Sequence, residues 1–222
     1  MTNKTKNAFT LAEVLITLVI VGIVATLTIS SVINTYVERA TVSKVKKGLS
    51  ILAQAKKLAE TQNGPIEGWD FGEGFTAETA RDFWKYIKPY FSLAKDCGAG
   101  TGCYQNNGTY YLNGTYNKNY NTFEHVHNFI LADGSVMWFR TGGSTSEGKC
   151  PVLSSVADRG CALFWYDVNG DKKPNAFGRD IFVYIVGVDS VFPLNKDDCN
   201  KNGEGWGCAG YIITHNNMNY LH

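Results

Sequence analysis

Residues 9–33, FTLAEVLITLVIVGIVATLTISSVI, are apolar at nearly every position, and Glu13 is the lone carboxylate in the run. Apolar on all sides, the stretch predicts a helix surrounded by an apolar medium. At 1.5 Å per residue, about 25 residues cross a hydrocarbon core with some tilt. From residue 34 the pattern changes. Val42, Val45, Leu49, Leu52, Ala53 and Leu58 recur near helical spacing, with Lys44, Lys46, Lys47, Lys56 and Lys57 on other faces. One helix is therefore expected over residues 9–61, roughly 80 Å long, with its lysines on a solvated face. Asn63-Gly64-Pro65 stops it, since Gly past the last turn and Pro just beyond are common terminators. A second helix is expected from Thr76, with Phe83, Trp84, Ile87, Tyr90 and Phe91 at core spacing.

The rest reads as β-rich. Asn113-Gly114, between β-favouring residues, predicts a two-residue hairpin, and Asp133-Gly134 between residues 127–131 and 135–140 predicts another. Further strands are expected at 163–167, 181–188 and 211–214. The fold class is α+β: a long N-terminal helix packed on a small antiparallel β-sheet head. The expected organisation is a leader at 1–8, a membrane or filament-core helix at 9–33, its amphipathic continuation at 34–62 and a globular head at 63–222.

Composition adds two constraints. With 222 residues, 44% hydrophobic and 18% charged, the chain has material for one span and one ordinary domain. The formal charge is +1, falling to −1 once a leader carrying Lys4 and Lys6 is lost. Such a balance leaves no electrostatic footprint for nucleic acid. Cys97, Cys103, Cys150, Cys161, Cys199 and Cys208 all lie beyond residue 90, in the part a signal-anchor would export. An even number there reads as disulfides, paired as neighbours: Cys97 with Cys103, Cys150 with Cys161, Cys199 with Cys208. Zinc is the rival reading, but no C-x-x-C pair occurs.

The acid in the greasy run decides the functional reading. A charge within a bilayer-length helix costs about 2.5–3.5 kcal/mol even on lenient insertion scales, so it needs a partner. Lys6-Asn7-Ala8-Phe9-Thr10-Leu11-Ala12-Glu13-Val14-Leu15 resembles the N-terminal signal of type IV pilins and type II secretion pseudopilins. Both have a basic leader, a small residue, a cut, Phe, and Glu fifth in the mature chain. The resemblance implies cleavage between Ala8 and Phe9 by a prepilin peptidase and methylation of the new Phe9 amine. It further implies pairing of Glu13 with the Phe9 amine of a neighbouring subunit. Its implied partners are other pilin or pseudopilin subunits and an assembly platform. The implied location is the bacterial inner membrane, single-pass, with the head outside the cytoplasm. Two departures stand out: Ala8 occupies the place where the family has Gly, and the kinking Pro is missing, with Ser30 near its position.

Asp167-Val168-Asn169-Gly170-Asp171 opens like an EF-hand loop, then departs at Lys172 and Gly178. Asp167, Asn169, Asp171, Asn175 and Asp180 are candidate calcium ligands, and the major pseudopilins are similar in carrying calcium in a C-terminal loop. The alternative is a loop whose Asx side chains bond their own backbone. His125 and His127, two apart, suit a metal pair on one strand face, or a solvated strand edge. No G-x-S-x-G, H-E-x-x-H or phosphate-cradling Gly loop is present, so no catalytic residue is expected. The leading function is a structural filament subunit. Its rival is a membrane-anchored binding or enzymatic domain that forms no filament.

Overall fold

The computed structural model describes residues 9–72, 74–100, 103, 108–117, 123–141 and 160–222. Helix α1 spans Leu11–Asn63, two residues later at each end than the sequence implies. It ends where Gly64, at φ +78°, donates its N–H to the Glu60 carbonyl, a geometry costly for any residue with a Cβ. The chain divides into two compact units, Met1–Ala40 and Thr41–His222.

In the first unit the apolar side chains have nothing to pack on among the described residues. Leu11 is 78% exposed and Leu18 63%, and Val21, Leu27 and Val32 are also exposed. This stretch of α1 is long and apolar enough to cross a membrane.

The second unit is built on a six-stranded antiparallel sheet. Its strands are β1 (Leu93–Ala99), β4 (His127–Leu131), β5 (Val136–Thr141), β6 (Gly160–Asp167), β7 (Ile181–Gly187) and β8 (Val191–Pro193), in the order β1-β4-β5-β6-β7-β8. A small hairpin, β2 (Thr109–Tyr110) with β3 (Tyr116–Asn117), forms a separate sheet. Side chains alternate across the strands, as period 2 requires. On one face Phe139, Phe164, Tyr166, Phe182 and Tyr184 join the core formed with α1 and helix α2 (Ala77–Ile87). On the other, Trp138, Leu163, Trp165, Val183 and Ile185 pack with Phe177 and Leu194.

The second half of α1 meets the sheet along Val42, Val45, Leu52, Ala55 and Ala59. Gly48 lies on the same stripe, and a Cβ there would sit 2.6 Å from the Tyr166 ring. That close approach lets the Tyr184 hydroxyl donate to the Val45 carbonyl at 2.7 Å. Ala53 and Leu58, expected in the core, are exposed because the contact face runs through Gly48, Ala55 and Ala59 instead.

Of the lysines expected on a solvated face, Lys44, Lys46, Lys47 and Lys57 are exposed, and only Lys56 departs from it. Lys44 donates to the Val168 carbonyl at 2.8 Å, Lys46 to Asn216 Oδ1 and Lys47 to Asp133 Oδ2, both at 2.6 Å. Lys56 is buried, bonded to Glu60 and to the Val188 carbonyl. Long aliphatic stems cover apolar surface while their ammonium groups reach acceptors at the rim.

Helix α2 starts where the sequence places it. The Thr76 hydroxyl accepts from the Thr79 N–H, and Thr79 returns the bond. Phe83, Trp84 and Ile87 are buried; Tyr90 and Phe91 lie in and after a following 3₁₀ turn.

Both hairpin turns have three residues in the loop, not two. In each, the Gly N–H closes a turn and the flanking pair is one residue wider: Gly114 to Tyr111 with Tyr111 to Thr115, and Gly134 to Leu131 with Leu131 to Ser135. The glycines take φ of +85° and +83°, the left-handed position that a three-residue loop requires.

The strand expected at 211–214 is instead part of helix α3, Cys208–His215. Cys208, Ala209 and Ile212 share its buried side, so tertiary packing overrides the β preference of Tyr211, Ile212 and Ile213. The structure pairs Cys97 with Cys103 and Cys199 with Cys208. Cys161 is also disulfide-bonded, while Cys150 lies outside the described residues.

Candidate assembly and processing site

The expected cut falls next to the start of α1. Ala8 lies outside the described residues; Phe9 is 86% exposed. Thr10 precedes the helix, and its N–H and hydroxyl both donate to Glu13 Oε2 at 2.9 Å. The Glu13 N–H in turn donates to Thr10 Oγ1 at 3.2 Å. This reciprocal pattern is a capping box, which satisfies helix donors that have no partner along the chain. Thr10-Leu11-Ala12-Glu13 carries that signal in the sequence, yet reading Glu13 only as a buried charge overlooks it. Glu13 Oε1 takes no hydrogen bond among the described residues, so the carboxylate can keep its cap and still accept a donor from outside the chain.

In the second unit, the Asp/Asn loop after β6 closes on Asp180. Its Oδ1 accepts from the Ala176 N–H at 2.6 Å, and its Oδ2 from the Asn175 N–H at 2.9 Å and from Asn169 Nδ2 at 3.1 Å. Burial pushes the Asp180 carboxyl up to about 6 against the pull of those donors. Asp167, fully buried at the end of β6, accepts from the Asn169 N–H at 3.0 Å. Asn175 holds φ +51°, which Asn tolerates better than most residues. The loop thus brings Asp167, Asn169, Asn175 and Asp180 into one hydrogen-bonded knot, with Asp171 half-buried beyond Gly170. Among the described residues no group of three His, Cys, Asp or Glu is arranged to hold a metal ion. Two neutral oxygens, Asn169 Oδ1 and Asn175 Oδ1, are buried without a hydrogen-bond partner.

The histidines do not converge on a metal or sit on a solvated edge. His127, on β4, is buried and donates from Nε2 to Asp96 Oδ1 at 2.8 Å. Asp96 Oδ2 accepts from Trp84 Nε1 and from Lys88, each at 2.8 Å. Burial lowers the His127 ring below its ordinary value, against the opposing pull of its bond to Asp96. Asp96 feels partial burial, yet donors from Lys88, Trp84 and His127 hold its carboxyl well below the usual range. His125 lies in the turn before β4 and stacks on Phe123. The pair of buried His127 with Asp96 of the edge strand belongs to the packing of α2 on the sheet, and the spacing of the histidines gave no sign of it.

No curated protein and no solved structure matches the chain. A family described as the prokaryotic N-terminal methylation motif matches residues 3–29. That span covers the basic leader, Phe9, the Thr10 and Glu13 cap and most of the exposed apolar stretch of α1. The chain therefore carries the prepilin signal of type IV pilins and pseudopilins, on an α+β protein with one apolar N-terminal helix and an antiparallel sheet.

Proposed function

We propose that this protein is a structural subunit, inserted as a single span, trimmed after Ala8 and drawn into a filament by packing of the helices at residues 9–33. The observation that carries the reading is the prepilin signal on a helix whose apolar side chains stay exposed within its own unit. Such a surface needs lipid before assembly and neighbouring helices after it. Lipid and neighbouring protein are comparably apolar, so transfer between them rests on packing and polar pairing, not on hydrophobic burial. Glu13 supplies the polar element. Its Oε2 holds the Thr10 cap while Oε1 is available for the methylated Phe9 amine of an adjacent subunit, which sets the register of addition. Subunits that add head to tail without closing make a filament. The role is mechanical and non-catalytic, with prepilin peptidase and an assembly platform as partners and the head outside the cytoplasm.

Mass spectrometry of the chain purified from a host with active prepilin peptidase tests the reading. The expected N-terminus is N-methylated Phe9, and an unprocessed Met1 terminus overturns it.

Within the class, a type II secretion pseudopilin is favoured over an adhesive pilin by the Asp/Asn loop, read as a calcium site. In its support, Asn169 Oδ1 and Asn175 Oδ1 are buried, unpartnered hard donors of the kind calcium takes. Asp180 fits less well, because three N–H donors already occupy its oxygens. Calorimetric titration of the full chain in detergent with calcium chloride decides this point, and absence of binding at millimolar calcium removes the ion.

A further inference from the structure

A cleft of about 710 Å³ opens in the second unit between the β2–β3 hairpin, the Asp/Asn loop and the C-terminal residues. Three cations line it, Lys173, Arg179 and Lys201, with no Asp or Glu among its lining residues. All three are exposed, and none of their side chains takes part in a hydrogen bond or ion pair among the described residues. Elsewhere in this unit most lysines have an acceptor: Lys47 has Asp133, Lys56 has Glu60, Lys85 has Asp82 and Lys88 has Asp96. Three unmatched positive charges around one concavity raise its potential and draw an anion.

The cleft is pre-formed. Tyr110 donates its N–H to the Asn175 carbonyl and accepts from the Phe177 N–H, both at 2.9 Å, tying the hairpin to the loop. The Leu112 and Asn113 N–H groups reach the Glu204 and Gly203 carbonyls at 3.0 and 3.1 Å. Tyr220 donates its hydroxyl to the Gly178 carbonyl at 2.7 Å, which fixes the C-terminal wall. Gly205 and Gly178 permit these close approaches. A Cβ on Gly205 would sit 2.8 Å from the Phe177 carbonyl, and one on Gly178 would sit 2.7 Å from the Cys208 sulfur. A cleft held by backbone bonds and backed by a disulfide loses little freedom when a ligand enters.

Besides charge, the cleft offers the aromatic residues Tyr110 and Tyr111, each with an apolar body and a polar tip, while Tyr220 is buried with its hydroxyl committed to Gly178. A bare inorganic anion would use only the cations. A long polyanion would need a track of charge along the surface, whereas this site is a single hollow on a chain of near-zero net charge. We propose that the cleft binds an acidic saccharide, its carboxylate met by Lys173, Arg179 and Lys201 and its pyranose ring lying against Tyr110 and Tyr111. This assignment is independent of filament assembly and concerns the head alone.

The test is calorimetry on the full chain in nonionic detergent, with trigalacturonate as the probe and maltotriose, inorganic phosphate and an oligo-dT strand as comparators. Trigalacturonate is expected to bind in the micromolar to millimolar range and maltotriose not at all. The triple variant Lys173→Ala/Arg179→Ala/Lys201→Ala is expected to lose about tenfold or more in affinity, with near-ultraviolet circular dichroism unchanged because all three side chains are exposed. Lys57→Ala, at an exposed lysine of α1, is expected to bind as the parent does. Absence of trigalacturonate binding, affinity unchanged in the triple variant, or phosphate or oligo-dT binding as tightly as the saccharide would each overturn the proposal.

Discussion

Leu18 and Phe164 are both large apolar side chains of one chain, yet the first is 63% exposed and the second fully buried. Leu18 belongs to a unit whose described residues supply no second layer for its helix. Phe164 sits on a central strand, under α2 and beside Phe139 at a ring separation of 4.8 Å. The contrast separates two uses of hydrophobicity. In residues 41–222 it drives the chain to fold on itself. In the N-terminal unit it is left available for a medium or a partner that the chain does not contain. Substitutions in the first unit should therefore change assembly with little effect on head stability, and substitutions in the second the reverse.

The largest expected effect comes from Glu13. Glu13→Ala should abolish incorporation into filaments while leaving membrane insertion intact, as measured by the ratio of sheared filament to membrane fractions. Glu13→Gln sharpens the comparison, because Gln keeps the capping box but carries no charge. If pairing with the Phe9 amine matters, the Gln variant should fail as fully as the Ala variant. A Gln variant that assembles normally would show that the cap, not the charge, is the requirement.

Next is the pair Phe164→Ala and Leu18→Ala. The first should cost about 3–5 kcal/mol by leaving a cavity between the sheet and α2. The second should stay within about 0.5 kcal/mol, since no head contact is lost. Denaturant midpoints of the full chain in detergent give both values, and equal shifts would break the distinction between the units.

Gly48→Ala should destabilise the head by about 1–3 kcal/mol, because the new methyl meets a fully buried Tyr166 ring that has nowhere to move. The better helix propensity of Ala recovers only part of this, about 1 kcal/mol. A stabilised variant would mean that the helix and sheet separate more easily than their close contact implies.

The smallest effect concerns Asp133. Partial burial pushes its carboxyl up, but bonds from Lys47 and Ser135 outweigh this and bring it to about 2, from an ordinary 3.8. Since the folded value is the lower one, its stabilisation is complete above about pH 4 and is lost as pH falls toward about 2. Both partners are partly exposed, so the total should stay under about 1 kcal/mol. Lys47→Ala should flatten that part of the pH–stability curve, which thermal unfolding between pH 2 and 5 would measure.

Features set by neighbouring residues were legible without coordinates. The apolar run of 9–33, the Gly64 stop, the Thr76 cap and the prepilin signal each depend on side chains within one or two turns of each other. The Thr10 and Glu13 cap is equally local, since both residues lie within one turn. What pattern could not give was set by contacts distant in sequence. Whether residues 211–214 form a strand or a helix depends on what covers Ile212, and the lysines of α1 find their acceptors more than eighty residues away. Edge strands β1 and β8 were also missed. The first is largely exposed and carries little apolar alternation, and the second ends in Pro193, which an edge position tolerates.

By itself, the order of residues determined that one helix would be apolar on every side, where it would be capped and stopped, and which signal it would carry. Those properties follow from local backbone chemistry and from the cost of an acid in a greasy segment. The tertiary structure alone decided that His127 would be buried against Asp96, that α1 would approach the sheet through Gly48, and that Lys201 would share one cleft with Lys173 and Arg179 of the Asp/Asn loop. Each of these joins residues far apart along the chain, and only the packed sheet and its connecting loops bring them within contact distance.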